Sequence, residues 1–586
     1  MEAIMVSFHS KVSRGHRYWY IVESRRVNGK PRPIVLAYLG KADDLLKRLK
    51  AGAERLAVKS YSHGAVAALL EIASILQIPE LINRRVQSPR SYMANKPLRH
   101  RLTVGVTLLL GAIGRVCMPT SKRGWWTWAQ TTSCEYLLKC SLSQIDSQHF
   151  WDLMDALPVD AIESIEKELL QRVRNHYSLS TDTVFYDTTN FYTYLASTNR
   201  RCTLAQRGKN KQKRNDLRQV GLAMVVSRDD LIPLFHLTYE GNRHDARVFQ
   251  RVARAIEQRL ADVEMDLEKH TLVFDRGNNS KDNLKTIRQL GFHYVGALTP
   301  AHLRALIHEA KRRFEPIEIN GESLSVFRDR REIWGELRTL VVYVSAPLKD
   351  GQWRGLQQAL NKKIDRLNRL QNALGRAKAP PYDRAKLEAR IASLVKGQYL
   401  KGVIDWSLAE SSPGRFRLEY SIRQEALADA KEQLGYRVLM TDRHDWSTAE
   451  IIEAYHGQSH VELAFKNLKN PYHLALKPQF HWTDQKIRVH YFMGVLGYLL
   501  ATLVWKQARQ QANFNGSLDT LLDTLNSIRL AALMERTAKS GRTKVTYQLE
   551  KMSTQETTLM EALGIQLTHL ERPQFQGVSV YASETV

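Results

Sequence analysis

The chain has 586 residues, 43% hydrophobic and 25% charged, a composition that builds packed cores and excludes a largely disordered polymer. Lys and Arg number 86 against 60 Asp and Glu, and the resulting charge of +26 points to a polyanionic partner, most simply nucleic acid. A length of this size exceeds one core, so several domains are expected.

Cys117, Cys134, Cys140 and Cys202 form neither a C-x-x-C pair nor a zinc-like spacing, which favours reduced packing residues in a cytosolic protein. The first twenty residues show no long apolar core or small-residue cleavage pattern of a signal peptide. The longest apolar run, Tyr491 to Trp505, falls short of the roughly 17–25 residues that span a bilayer, so it reads as a buried helix and no membrane partner is expected.

In chain order, "YWYIVESRRVNGKPRPIVLAYLG" places two β-prone runs around Asn28-Gly29, a strong hairpin signal, and residues 1–42 form an N-terminal β-hairpin element. From 43 to 175 the pattern is helical, as at Val66, Leu69, Leu70, Ile72 and Ile75, without a convincing strand, and this region is read as a helical DNA-binding domain. Within it Lys122 and Arg123 precede Trp125, Trp126 and Trp128; such interleaving suits a nucleic-acid surface, but tryptophans so spaced more often anchor a helical core.

From Thr183 the period shortens. "TVFYD", "QVGLAMVVS" and "LIPLFHLTYEGN" read as three successive strands, followed by a helix, a strand ending at Asp275 in "HTLVFDRGNNS", a short helix and a fifth strand "FHYVGAL". This β-β-β-α-β-α-β order is the one a ribonuclease-H-like α/β core with a mixed five-stranded sheet requires. Its first part covers 176–298 and its second 441–512.

Residues 299–440 interrupt it as a mixed insertion domain, with the strand-like runs "TLVVYVSAP" and "YRVLMTD" flanking its helices. Leu356, Leu360, Ile364, Leu367, Leu370 and Leu374 mark one amphipathic helix, Pro380-Pro381 stop it, and Leu387, Ile391 and Leu394 mark a second, giving a helical hairpin. Ser447 and Glu450 fit a capping box. A more polar C-terminal region, 513–586, carries no readable function.

Asp187 directly follows the apolar run Val184, Phe185, Tyr186, and a carboxylate at the end of a buried strand is costly unless a metal ion or a cation compensates it. Asp275 ends another strand, with Gly277 permitting a tight turn, and Glu462 lies on a helix. Singly, each acid fits a cap, a salt bridge or a solvated loop; together they fit two-metal phosphodiester chemistry, with ions about 3.5–4 Å apart. Tyr455, Gln458, Glu462, Lys466 and Lys469 recur at three- and four-residue intervals, one face of a single helix. In "NRRCTLAQRGKNKQKRNDLRQ", Lys209, Lys211, Lys213 and Arg214 belong to a basic loop facing a DNA backbone. His456 and His460 lack the glutamate of a zinc-protease motif at Gly457, and there is no phosphate-binding G-x-x-x-x-G-K-[ST] loop.

"FYDTTNFY", "FDRGNNS" and "YHGQSHVELAFKNLK" resemble the catalytic blocks of bacterial insertion-sequence DDE transposases, in the branch with a Tyr-x2-Arg-x3-Glu-x6-Lys signature. Tyr455, Glu462 and Lys469 match in register, while Gln458 stands where the arginine is expected, removing a charge and a bidentate phosphate donor. The resemblance implies that Asp187, Asp275 and Glu462 bind two Mg2+ ions, with Mn2+ a possible substitute, and that Arg276 joins the DNA-binding residues. It implies cleavage at terminal inverted repeats and joining of the 3′-hydroxyl to target DNA by a homodimer pairing two double-stranded DNA ends, in the bacterial cytoplasm and on the nucleoid. The alternatives are a ribonuclease-H-like nuclease without strand transfer and a DNA-binding protein without catalysis.

Overall fold

The computed structural model describes residues 6–13, 16–27, 30–43, 46, 56–86, 102–208, 214–243, 245–262, 269–300, 303–319, 321–376, 381–477, 479–536, 543–566 and 570. Strands β1 (Val6–Ser13), β2 (His16–Val27) and β3 (Lys30–Lys41) form an antiparallel sheet in that order. Val27 pairs with Lys30, so β2 and β3 are joined by two residues, Asn28-Gly29, which themselves lie outside the described residues.

The region read as purely helical holds a strand, β4 (Leu56–Ser62), whose partner lies far along the chain. Helices α1 (Gly64–Ile75) and α2 (Val104–Cys117) follow, α2 buried along its whole length and capped by the Thr103 hydroxyl, which accepts from the Val106 amide. Trp125 and Trp128 belong to the core, while Trp126 is half-buried. On α3 (Trp125–Ala129), Trp125 donates its indole N–H to the Leu110 carbonyl at 3.1 Å and meets Phe150 edge-on at 5.3 Å. Gly114 makes this possible, since a Cβ there would stand 2.7 Å from the indole nitrogen. Lys122 is buried too, its ammonium over the Phe150 ring, so it does not present a nucleic-acid surface.

The strands β5 (Thr183–Thr193), β6 (Arg218–Ser227), β7 (Pro233–Glu240), β8 (Thr271–Phe274) and β9 (His293–Leu298) form one half of a mixed sheet, with helices α4 (Asp245–Asp262) and α5 (Lys281–Gln289) between them. Among the described residues the sheet has nine strands rather than five. β10 (Glu315–Ile319), β11 (Glu322–Ile333), β12 (Glu336–Val344) and β15 (Tyr436–Thr441) extend it in the order β10-β11-β12-β15-β9-β8-β5-β6-β7. Only β5-β8-β9 pair in parallel. Of the added strands, β12 and β15 coincide with the strand-like runs at the flanks of the segment taken as an insertion, while β10 and β11, mostly exposed or half-buried, gave no apolar run.

Between β12 and β15 the chain leaves the sheet. Helix α6 (Ala346–Leu374), capped by Ser345, turns Leu356, Leu360, Leu367, Leu370 and Leu374 inward against Leu387 and Ile391 of α7 (Arg384–Val395) and against the hairpin β13 (Ile404–Ser412) and β14 (Arg415–Ile422). This is a core of its own. Helix α6 ends at Leu374, ahead of Pro381; Pro380 lies outside the described residues.

The capping box at Ser447 and Glu450 opens α8 (Thr448–His456). A separate helix, α9 (Ser459–Asn467), follows a break at Gly457 and Gln458. The apolar run becomes α10 (Asp484–Ala512), a helix long and apolar enough to cross a membrane but with 94% of its most apolar window buried inside the protein. The C-terminal region then supplies β16 (Arg529–Arg536) and β17 (Thr543–Leu549), and β16 pairs with β4 in the order β17-β16-β4, Arg529 opposite Ser62.

Two units result, one of Met1–Ala161, Asn470–Pro478 and Leu496–Val586, the other of Ile162–Lys469 and Gln479–Val495. All candidate catalytic residues belong to the second.

Candidate active site

Alternation along the strands decides where the aspartates point. Tyr186 of β5 and Phe274 of β8 are paired, and their rings meet Phe249 of α4 edge-on at 5.1 and 5.0 Å, so both face that helix. The next residue on each strand turns to the other side of the sheet. Asp187 and Asp275 therefore each follow one member of the last paired position of β5 and β8, and alternation turns both away from α4.

Asp187 does not end its strand. It is half-buried in the middle of β5, which continues to Thr193 paired with β6, while the parallel partner β8 stops at Phe274. The carboxylate thus lies where the parallel neighbour ends, and the apolar run marked only the first part of the strand. Asp275 caps a short 3-10 turn, Arg276–Asn278, its Oδ1 accepting from the Arg276 amide at 2.6 Å. The turn is tied down from two sides: Asn279 donates to the Ala297 carbonyl of β9, and Asn283 to the Asn278 carbonyl at 2.8 Å. Gly277 has open space around it and no positive φ, so this turn does not depend on glycine.

The face that carries the aspartates is covered by α8 and α9. Gly457 lies against Phe185, where a Cβ would stand 2.3 Å from the ring, and the His460 ring meets Phe185 edge-on at 5.6 Å. Further on, Lys469 donates to the Thr189 hydroxyl and sits over Phe191 at 5.3 Å. Phe185, Asp187, Thr189 and Phe191 are alternate residues of one strand, so the segment from Gly457 to Lys469 runs along β5 and passes over Asp187 with Glu462 on it. Glu462 is exposed in the first turn of α9.

The five residues spaced at helical intervals do not share one helical face. The break at Gly457 separates Tyr455, buried on α8, from Glu462 and Lys466, exposed on α9, and Lys469 lies beyond its end. Gly457 and Gln458 keep helical backbone angles, and the chain passes Phe185 there so closely that a side chain at 457 would collide with the ring. Gln458 is buried at the break. A neutral amide is tolerated there, whereas a guanidinium would need a charged partner. Tyr455 keeps its proton: burial, and after it the Asp275 carboxylate, push its hydroxyl up to about 12. The histidines are structural, His460 bonding the Arg228 carbonyl at 2.9 Å and His456 the Tyr343 hydroxyl at 3.1 Å.

Of the basic loop, Lys209, Lys211 and Lys213 lie outside the described residues. Arg214 forms a fork with Asp216, at 2.9 and 2.8 Å, that offsets its charge and draws the Asp216 carboxyl down to about 2. Arg276 is exposed beside Asp275.

Carboxylate oxygens on rigid strands are donors that suit hard divalent cations. Strand alternation puts Asp187 and Asp275 on the side of the sheet opposite α4, and the segment that carries Glu462 runs along β5 on that side. Among the described residues, no group of three or more His, Cys, Asp or Glu side chains is drawn into one ligand shell. Sequence reasoning missed Thr189, Asn279 and Arg437, the last stacked at 5.6 Å on the Tyr455 ring; the "YDTT" and "RGNN" strings around the two aspartates were the available signal for the first two.

Comparison with known families gives two matches. Residues 178–479, just over half the chain, match the "Transposase DDE domain", and residues 8–65 match the "IS1634 family transposase, N-terminal domain". No curated protein matches. A solved structure, the cryo-EM synaptic complex of piggyBac transposase with hairpin DNA, is 8% identical over 79% of each chain with a TM-score of 0.38, a likeness too low to bear on function.

Proposed function

The chain belongs to the DDE transposases, and from that premise we propose that it binds the terminal inverted repeats of an insertion sequence, cleaves at the element ends and joins the freed 3′-hydroxyl to target DNA. The five strands β5–β9 serve as a ribonuclease-H-like core. The observation that supports this reading most is the shared face of Asp187 and Asp275 under the segment that carries Glu462, inside the region that matches the family.

Enzymes of this family generally work with divalent metal ions. In our reading Asp187, Asp275 and Glu462 hold two Mg2+ ions, which Mn2+ can replace. When bound, the ions supply an activated water or hydroxyl and stabilise the leaving oxygen. The chain's own residues position the strand: Tyr455, protonated throughout the neutral range, offers its hydroxyl to the strand beside Asp275. Lys466 on α9 and Lys469 just past its end meet the backbone, and the Lys209–Arg214 loop adds charge on the same DNA. A homodimer pairs two ends of double-stranded DNA, in the cytoplasm.

The test is to incubate the protein and Mg2+ with labelled DNA from the borders of its gene and a target plasmid. Covalently joined strands are the expected product; cut ends without joining indicate a nuclease, and intact ends that remain bound indicate a DNA-binding protein without catalysis.

A further inference from the structure

Beside Asp275 a cleft of about 560 Å³ opens between the sheet and the insertion, lined by Asp275, Arg276, Arg437 and Tyr455 on the sheet side and by Lys363 on the α6 side. Three cations face a single carboxylate. Low-dielectric walls with that balance concentrate anions.

Arg437 is the informative member. It projects from β15, half-buried, stacked on Tyr455, and among the described residues no carboxylate stands within salt-bridge distance of it. A guanidinium partly removed from water without an acid is costly, and its planar fork matches the oxygens of a phosphate. Lys363 spends two of its three N–H donors on the carbonyls of Leu394, at 2.7 Å, and Lys396, at 2.6 Å, leaving one for the cleft. Gln458, where the resemblance expects an arginine, follows Tyr455 by one turn and is buried and neutral.

We infer that this cleft seats one backbone phosphate of the DNA strand held at Asp275, and that Arg437 supplies the guanidinium missing at Gln458. The inference rests on the transposase reading. It adds a residue from the strand after the insertion and a second wall, through Lys363, from the insertion itself.

The test is a coupling experiment with the full chain and a duplex from the element end carrying single neutral methylphosphonates at successive backbone positions. At one position near the cleavage point the substitution should weaken binding by wild type about tenfold, and weaken binding by Arg437→Ala no further. Arg437→Lys should restore part of the coupling. If no position couples to Arg437, the assignment is overturned. If Arg437→Ala does not fold, Lys363→Gln reads the same position from the other wall, and absence of coupling there overturns it equally. Failure of the wild type to bind the duplex at all would instead reject the transposase reading.

Discussion

Tyr186 and Phe274 are paired across β5 and β8, and both rings close on Phe249 of α4. That apolar packing on one side of the sheet is what aims Asp187 and Asp275 at the other. The carboxylates are placed by the rings behind them.

Removing the support should therefore disturb the site from a distance. Phe249→Ala takes away a ring that is 1% exposed, and such truncations cost about 3–5 kcal/mol. Denaturant unfolding measures the loss. Strand cleavage should fall more than end binding does, and a variant that lost stability but cleaved at the wild-type rate would separate Phe249 from the site.

Gly457→Ala probes the covering segment. The backbone there is helical, with φ of −60°, so alanine adds no backbone strain, but its Cβ would stand 2.3 Å from the Phe185 ring. Overpacking of this kind costs about 1–3 kcal/mol and should displace the segment that holds Glu462, lowering cleavage. Phe185→Leu in the same chain should restore part of the activity, because it returns the space; cleavage assays on the single and double variants check both statements.

Tyr455 gives a pH prediction. Its hydroxyl titrates near 12 in the folded chain against an ordinary value of 10, so the unfolded state loses its proton first as pH rises. The stability tied to the protonated hydroxyl is complete below pH 10 and is lost on rising from 10 to about 12, amounting to about 2–3 kcal/mol. Urea unfolding of wild type and Tyr455→Phe across this range should show a shallower decline in the variant. Equal declines would contradict the shift.

The basic loop should act through charge alone. Replacing Lys209, Lys211 and Lys213 together by alanine should lower the slope of log affinity against log salt by up to about 3, one for each phosphate no longer neutralised. Arg214→Ala should change the slope less, because Asp216 already offsets that charge. Anisotropy titrations with end DNA at several salt concentrations measure both slopes.

Much of this site could be read from the residues, and what escaped has physical causes. Asp187 and Asp275 stood out because apolar strand residues precede each, and the Ser447 capping box is a local signal. The need for glycine at 457 was not visible, because it is set by Phe185, a ring some 270 residues away. Strand β4 was missed for the same reason: its pairing partner is in the C-terminal region, and its sequence, LAVKSYS, is too polar to declare a strand alone. The spacing of the tryptophans in the string Lys122 to Trp128 already favoured a core over a nucleic-acid surface, and the space left by Gly114 for Trp125 agrees with it. Arg437 gave no signal, since only the fold brings β15 beside α8.

The central claim is that Asp187, Asp275 and Glu462 work as one metal-binding set on the covered face of β5. Its most direct test is cleavage of labelled element ends in Mg2+ by Asp187→Ala, Asp275→Ala and Glu462→Ala, with end binding followed in parallel. Each variant should bind the ends and leave them uncut. Cleavage at the wild-type rate by any one of the three, Glu462→Ala above all, would contradict it.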